Sequence, residues 1–352
     1  MKRPSAMLET RGAVVLDDFV ADLSWAPDGG RLAVAGGEGK VFLVTRPVGS
    51  STGAASRALQ AREVGEHLLG ALSVAWQPRG ENFVSCGQDG ALMLHDGVAG
   101  QQLALQRPRA LGLTSIAWAP DGRCLATASG RQLNLWTSTL ELAHALPPLE
   151  AGIAAIGWDR PGRDLAAAVN GGVIVHRIEP PRFELRKYAW EAPCVALAYS
   201  DNGKVLACGT QDGSVHFWYL NTGRDSQMRG YPGKVDCIAF SGDSRWLATA
   251  AGDQLVLWDF GGRGPEGSRP LQLAGHTDRI DALAFQPNGN LLASIGRDWR
   301  LSLWLPGKTP GALDAHLTEA EPSCLRWSPD GRFLAVGERR GRVSIYEVLR
   351  LA

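Results

Sequence analysis

The chain has 352 residues, of which 45% are hydrophobic and 20% charged, so it carries enough apolar material to bury a sizeable core and too much for a disordered chain. Its 36 basic and 36 acidic residues cancel, which removes the electrostatic footprint of a protein devoted to DNA, RNA or anionic lipid, though a local basic patch stays compatible with it. No secretory signal follows the charged start, no run approaches eighteen apolar residues, and Cys86, Cys124, Cys194, Cys208, Cys237 and Cys324 form no C-x-x-C pair, so a cytoplasmic protein with reduced thiols is expected.

The first predicted element is a strand over residues 7–16, MLETRGAVVL, which belongs to no repeat of its own. After it a single phrase recurs: small-apolar-small-aromatic, a Pro/Asp/Gly turn, then Leu-Ala and small residues. The copies begin DLSWAPDGG at Asp22, SVAWQPRG at Ser73, SIAWAPDG at Ser115, AIGWDRPG at Ala155, ALAYSDNG at Ala196, CIAFSGDS at Cys237, ALAFQPNG at Ala282 and CLRWSPDG at Cys324. The aromatic positions are Trp25, Trp76, Trp118, Trp158, Tyr199, Phe240, Phe285 and Trp327, spaced 51, 42, 40, 41, 41, 45 and 42 residues apart. A fixed period of this size marks a repeat architecture.

Within each copy the first segment alternates with period two, so it reads as a strand with one bulky and one flat face. Leu23, Val74, Ile116, Ile156, Leu197, Ile238, Leu283 and Leu325 share the bulky face with the aromatic residue two positions on, and the intervening positions are mostly Ala, Ser, Gly or Cys. Pro-Asp-Gly and its relatives supply the tight turn to a second strand, such as residues 31–35. A Gly/Asp turn then leads to a third strand, such as residues 214–218, and a weaker amphipathic stretch makes a fourth. One such meander cannot bury both faces, but the bulky face of one copy stacked on the flat face of the next can. Gly/Pro/Ser-rich stretches at 48–56 and 261–270 account for the two longest spacings and are expected to be flexible loops.

This pattern resembles WD40 repeats, over roughly residues 5–350. The resemblance implies an all-β fold, a single WD40-type β-propeller. The seventh copy carries the best match, with Gly275-His276, ALAFQPNG, LLASIGRD and LSLW. It also implies a hydrogen-bonded tetrad, for which the matching residues are His276, Ser294, Asp298 and Trp304. The second copy has His67, Ser85 and Asp89, with His95 where Trp is usual. The fifth keeps Asp212 and Trp218 but has Cys208 for the Ser and Trp190 for the His; the sixth and third keep Trp258 and Trp136 with no matching His. After the eighth copy the chain ends without an outer strand. WD40 propellers close by drawing that strand from the amino terminus, so residues 7–16 complete eight blades; seven blades, the commonest number, is the alternative.

His276, Asp298 and Ser294 also have the residue types of a catalytic triad, but their tetrad positions make the structural reading the stronger. Cys237 and Cys324 share one slot where a metal ligand is conceivable. No second Cys or His lies at ligand spacing, so they read as small buried residues, and neither a metal nor a cofactor is expected. No phosphate loop, dinucleotide fingerprint or paired-carboxylate motif appears.

Repeat alignment places one set of loops on a common face, with Phe19, Gln88, Trp190, Gln211, Tyr231, Lys234, Asp236, Arg279, Asp281, Arg297, Trp299, Glu321 and Arg339. Trp299 follows the tetrad Asp where Gly is usual, and Trp and Arg are the types enriched in binding hot spots. The expectation is therefore a non-catalytic scaffold that binds a protein or peptide through Tyr231, Lys234, Arg279, Arg297 and Trp299, with no nucleic-acid or membrane partner, as a monomeric ring or a subunit of a hetero-complex. An enzyme or small-ligand binder using a central channel is the alternative, and nucleic-acid binding is a third reading against which zero net charge argues.

Overall fold

A computed structural model describes residues 5–46, 58–108, 112–179, 182–262 and 264–351; the stretch 48–56 and the first four residues lie outside the described residues. The chain folds into eight four-stranded antiparallel sheets, the blades of an eight-bladed β-propeller. Blades are numbered here by their first strands: Val20–Trp25, Ala71–Trp76, Ser115–Trp118, Ile153–Trp158, Cys194–Tyr199, Cys237–Phe240, Ile280–Phe285 and Pro322–Trp327. Eight sheets decide against the seven-bladed alternative.

Seven blades are built from four consecutive strands, and blade 8 is not. Its order is Ser5–Val15, Arg342–Leu351, Phe333–Glu338, Pro322–Trp327, so the amino-terminal strand supplies the missing outer edge. Pairing runs from Ser5 opposite Leu351 to Val15 opposite Arg342, with one register shift between Thr10 and Gly12. The strand begins two residues before the stretch read from sequence and ends one before it. It is fastened at the far end by Leu16 N–H donating to the Gly341 carbonyl at 2.9 Å.

The blades fall into two compact units, Met1–Pro148 with His316–Ala352, and Leu149–Ala315. In the first unit the core lies between neighbouring blades. Val74, Trp76 and Phe83 of blade 2 bury against Ala26, Ala33 and Ala35 of blade 1. Leu23, Trp25 and Leu32 of blade 1 bury with Ala335, Val343 and Ile345 of blade 8. The Trp at the end of a first strand also bonds across: Trp25 Nε1 donates to the Arg326 carbonyl at 3.0 Å, and Trp118 Nε1 to the Ala75 carbonyl at 3.2 Å.

The second unit repeats the rule. Ala166 and Ala168 of blade 4 receive Leu197, Leu206 and Trp218 of blade 5. Ala248 and Ala250 of blade 6 receive Leu283, Leu292 and Trp304 of blade 7. Large against small fills the space between sheets at interior packing density, and this is what the alternating small residues of every copy are for.

Specific contacts flank and enter the stretch 261–270, of which residue 263 lies outside the described residues. Phe260 packs edge-on against Phe217 and Phe240, with centroids 5.1 and 5.2 Å away. The Tyr219 hydroxyl donates to Glu266 Oε2 at 2.8 Å. Gly264 sits against that hydroxyl with φ +93°, where a side chain would collide.

Candidate functional site

Two kinds of polar constellation stand on this frame. One ties blades 2, 6 and 7 internally, and the other lies on the loops of blades 6 and 7.

The tie is clearest in blade 7. His276 lies in the loop before the first strand, and its Nδ1 donates to Asp298 at 3.1 Å. Its Nε2 lies 2.7 Å from Ser294 Oγ, and Trp304 Nε1 donates to the same oxygen at 2.8 Å. Asp298 also accepts the Thr277 amide at 2.9 Å and the Arg300 amide at 3.2 Å. The Ser294 hydroxyl is wholly buried under Trp304. A nucleophile needs a substrate within reach, so this Asp-His-Ser geometry serves to join loop to strand.

Blade 2 builds the same tie with a different last member. His67 Nδ1 bonds Asp89 at 3.1 Å and His67 Nε2 lies 2.8 Å from Ser85 Oγ. His95 Nε2 reaches the same hydroxyl at 2.9 Å, in the role that Trp304 plays in blade 7. The His95 ring stacks on Phe83 with centroids 4.7 Å apart. Burial, and then the neighbouring His67, depress the His95 pKa to about 4. Burial also lowers His67 and His276.

These depressed values fix a sign. An imidazole neutral in the fold but protonated in the unfolded chain stabilises fully above pH 6.5, and that stability is lost as the pH falls toward the folded pKa. For His95 the window from 6.5 to about 4 corresponds to a loss on the order of 3 kcal/mol. The variant His95→Gln should therefore show a flatter fall of Tm between pH 6.5 and 4.5 than the wild type. Parallel curves for the two proteins would exclude His95 as the group responsible.

Tyr231 joins this class and leaves the outward-facing set. Its hydroxyl lies 2.6 Å from Thr249 Oγ1 and accepts from Trp258 Nε1 at 2.7 Å, so it occupies the place of the missing histidine in blade 6. Sequence reading missed this because a phenol was not considered as a stand-in for imidazole. The signal was the pairing of Tyr231 with Thr249 and Trp258 at the tetrad spacings.

The outward constellation holds Lys234, Arg279, Arg297 and Trp299. Arg279 pairs with Asp236, and its Nε lies 3.2 Å from Asp281. Arg297 Nε reaches the other Asp281 oxygen at 3.2 Å, and Lys234 Nζ lies 3.5 Å from Asp236. The two carboxylates are sheltered, 18% and 14% exposed, while both arginines are 44% exposed. Surface pairs of this kind add little stability, but they join Lys234, Arg279 and Arg297 to two shared carboxylates, Asp236 and Asp281. Trp299 is 42% exposed and has φ +62°. The corresponding turns of blades 2, 5 and 8 put Gly90, Gly213 and Gly341 there, with φ of 71°, 79° and 81°. Of the wider set, Trp190 stacks on His216 with centroids 3.8 Å apart, Phe19 lies over Gly37, and Arg339 pairs with Glu321 at 3.0 Å.

The model of the WD domain, G-beta repeat, matches residues 61–96, 108–137, 184–219, 225–259, 267–304 and 307–347, together more than half of the chain. The chain belongs to the WD40 repeat family. Each WD40 match begins within or shortly before the outer strand of one blade, or in the loop before the first strand, and extends into the third inner strand of the next. The inner strands of blades 1 and 4 lie outside the matches. Among similar proteins are telomerase Cajal body protein 1 of Mus musculus, 30% identical over 277 residues (67% of this chain, 51% of that protein), and the same protein of Mesocricetus auratus, 27% identical over 277 residues (67% and 50%). Cell division cycle 20.4, cofactor of APC complex, of Arabidopsis thaliana is 25% identical over 256 residues (66% and 55%). The chain spans about half the length of the curated relatives it matches. The crystal structure of the computationally designed Ika8 protein superposes with TM-score 0.79 at 17% identity, covering 96% of this chain and 99% of that one, a likeness of fold alone.

One WD40 position breaks the rule of small residues. Arg326 stands where the other copies have Ser24, Ala75, Ala117, Gly157, Ala198, Ala239 and Ala284. It donates to Asp22 at 2.6 Å, and Asp22 in turn accepts from Ser73 Oγ at 2.7 Å, so blades 8, 1 and 2 share one polar chain. The departure from small residues was visible in the sequence and went unread. Cys324 is buried and Cys237 half-buried, and among the described residues no group of three or more His, Cys, Asp or Glu is arranged to hold a metal.

Proposed function

We propose that this WD40 chain is a non-catalytic interaction scaffold that grips a protein or peptide partner with Lys234, Arg279, Arg297 and Trp299. The observation that carries the reading is Trp299. A non-glycine residue at φ +62° costs on the order of 1–2 kcal/mol, and three sister turns avoid that cost with glycine. A large aromatic is held there with 42% of its surface exposed, at a position whose backbone geometry glycine meets without strain. Strain kept at a surface position favours a role in recognition, and the half-exposed guanidinium groups of Arg279 and Arg297 on the loops of the same blade suit carboxylates.

The test sets stability against binding. A partner is isolated by affinity capture with the wild type and identified, and its Kd is measured for each variant. Trp299→Gly should hold or raise the Tm, since the strain is relieved, while affinity falls at least about thirtyfold. Arg297→Ala should weaken binding without changing the fold. Unchanged affinity in both variants moves the interface elsewhere.

A further inference from the structure

Blade 5 lacks both side chains that make the tie in blades 2 and 7. Trp190 stands in the slot of the histidine and Cys208 in that of the serine. What it has instead is a second sulfur. Cys194 opens the first strand, in the slot that Ile280 fills in blade 7, and a register shift there sets Cys194 opposite Thr210 and Leu197 opposite Cys208. This brings Cys194 Sγ to 2.6 Å from Cys208 Sγ. Both sulfurs are fully buried among Ala166, Ala168, Leu206 and Trp218.

We propose that Cys194 and Cys208 are a disulfide-forming pair, a covalent counterpart of the hydrogen-bonded tie found in blades 2 and 7. Two independent features converge on it. The first is the juxtaposition itself, produced by neighbouring antiparallel strands and not by a mobile loop. The second is position: a bond here joins the start of the first strand to the second-strand slot where blade 7 holds Ser294, so it restores the link that Trp190 and Cys208 removed. The other cysteines are placed differently. Cys86 Sγ lies 3.6 Å from the Leu113 carbonyl, and Cys237 Sγ lies 3.4 Å from the Asp281 carbonyl and 3.9 Å from the Asp236 carboxylate.

The chemistry needs a two-electron oxidant, and a small-molecule disulfide such as oxidised glutathione suffices. One cysteine thiolate attacks a glutathione sulfur and expels the first glutathione thiolate, leaving a mixed disulfide. The second cysteine thiolate attacks the protein sulfur of that bond and expels the second. The two protons given up by the cysteines end on the two glutathione thiols, so the protein loses two hydrogens and the oxidant gains them. The contact with Cys194 and burial push the Cys208 thiol up, and no bulky oxidant reaches it in the closed blade. The bond therefore forms during folding or local opening, and the pair remains a dithiol in a reducing compartment.

The full chain is incubated with oxidised glutathione in mild urea, returned to buffer, and alkylated with N-ethylmaleimide in denaturant. Four of the six cysteines should take up label, and tryptic digestion should yield peptides 188–204 and 205–224 joined. The oxidised protein should melt about 4 °C above the reduced one, as expected for a closed loop of this length in a chain of this size. Cys194→Ala and Cys208→Ser should each abolish that difference. Six labelled cysteines, a bond joining any other pair, or a linked protein with an unshifted Tm would each overturn the proposal.

Discussion

A chain lacking residues 1–16 should lose about 10 °C or more in Tm and most of its soluble yield. The strand Ser5–Val15 is the outer edge of blade 8 and pairs along almost its whole length with Arg342–Leu351. Removing it strips hydrogen-bond partners from a ten-residue strand. It also removes Leu8 and Leu16, both buried, and losing either side chain from a core costs roughly 2–5 kcal/mol. Arg11, whose Nε bonds Glu347 at 2.5 Å, goes with them. The sum is comparable with the whole stability of an ordinary domain. The bare edge left behind is a template for aggregation. Thermal melting and a soluble-fraction assay check this. Addition of a synthetic peptide covering residues 1–16 should restore part of the Tm, which a general folding defect would not permit. A truncated chain that melts with the wild type would remove the amino-terminal strand from any role in completing blade 8.

Asp298→Ala should cost about 3 kcal/mol, against less than about 0.5 kcal/mol for Glu38→Ala. Asp298 holds His276 Nδ1 and the amides of Thr277 and Arg300, and it is nearly buried. Its loss leaves an imidazole N–H without its acceptor beside a buried Ser294 and Trp304, and such orphaned groups carry the full cost of desolvation. The Glu38 side chain is exposed, and its blade is tied differently: Asp18 accepts the Glu38 amide at 2.9 Å and the Lys40 amide at 3.1 Å, bonds that truncation of Glu38 leaves in place. Chemical denaturation of the two variants beside the wild type gives the comparison. Equal losses would mean that the Asp298 network stabilises nothing beyond an ordinary surface turn.

Periodicity carried most of the fold into the sequence. The small-apolar-small-aromatic phrase needs only neighbouring residues to specify a two-faced strand, and the faces then dictate stacking. The missing outer strand of the eighth copy and the spare residues 7–16 were arithmetic on the same period. His276, Ser294, Asp298 and Trp304 were legible because their spacing along the chain is that of a repeat. Placement of Arg279, Arg297 and Trp299 on loops followed in the same way.

What the periodicity leaves open are side-chain contacts between strands, within a blade and across blades, and the conformations of single turns. Tyr231 reads as an exposed loop aromatic until Thr249 and Trp258 are brought to its hydroxyl, 18 and 27 residues away. The contact of Glu266 with the Tyr219 hydroxyl, 47 residues away, is likewise absent from any local pattern. Asp22 and Arg326 are 304 residues apart, and Cys194 and Cys208 meet only once neighbouring strands are paired. Local sequence sets which face a side chain takes, because a strand alternates with period two whatever its surroundings. Which partner waits on that face depends on the stacking of whole sheets, and that is a property of the folded chain alone.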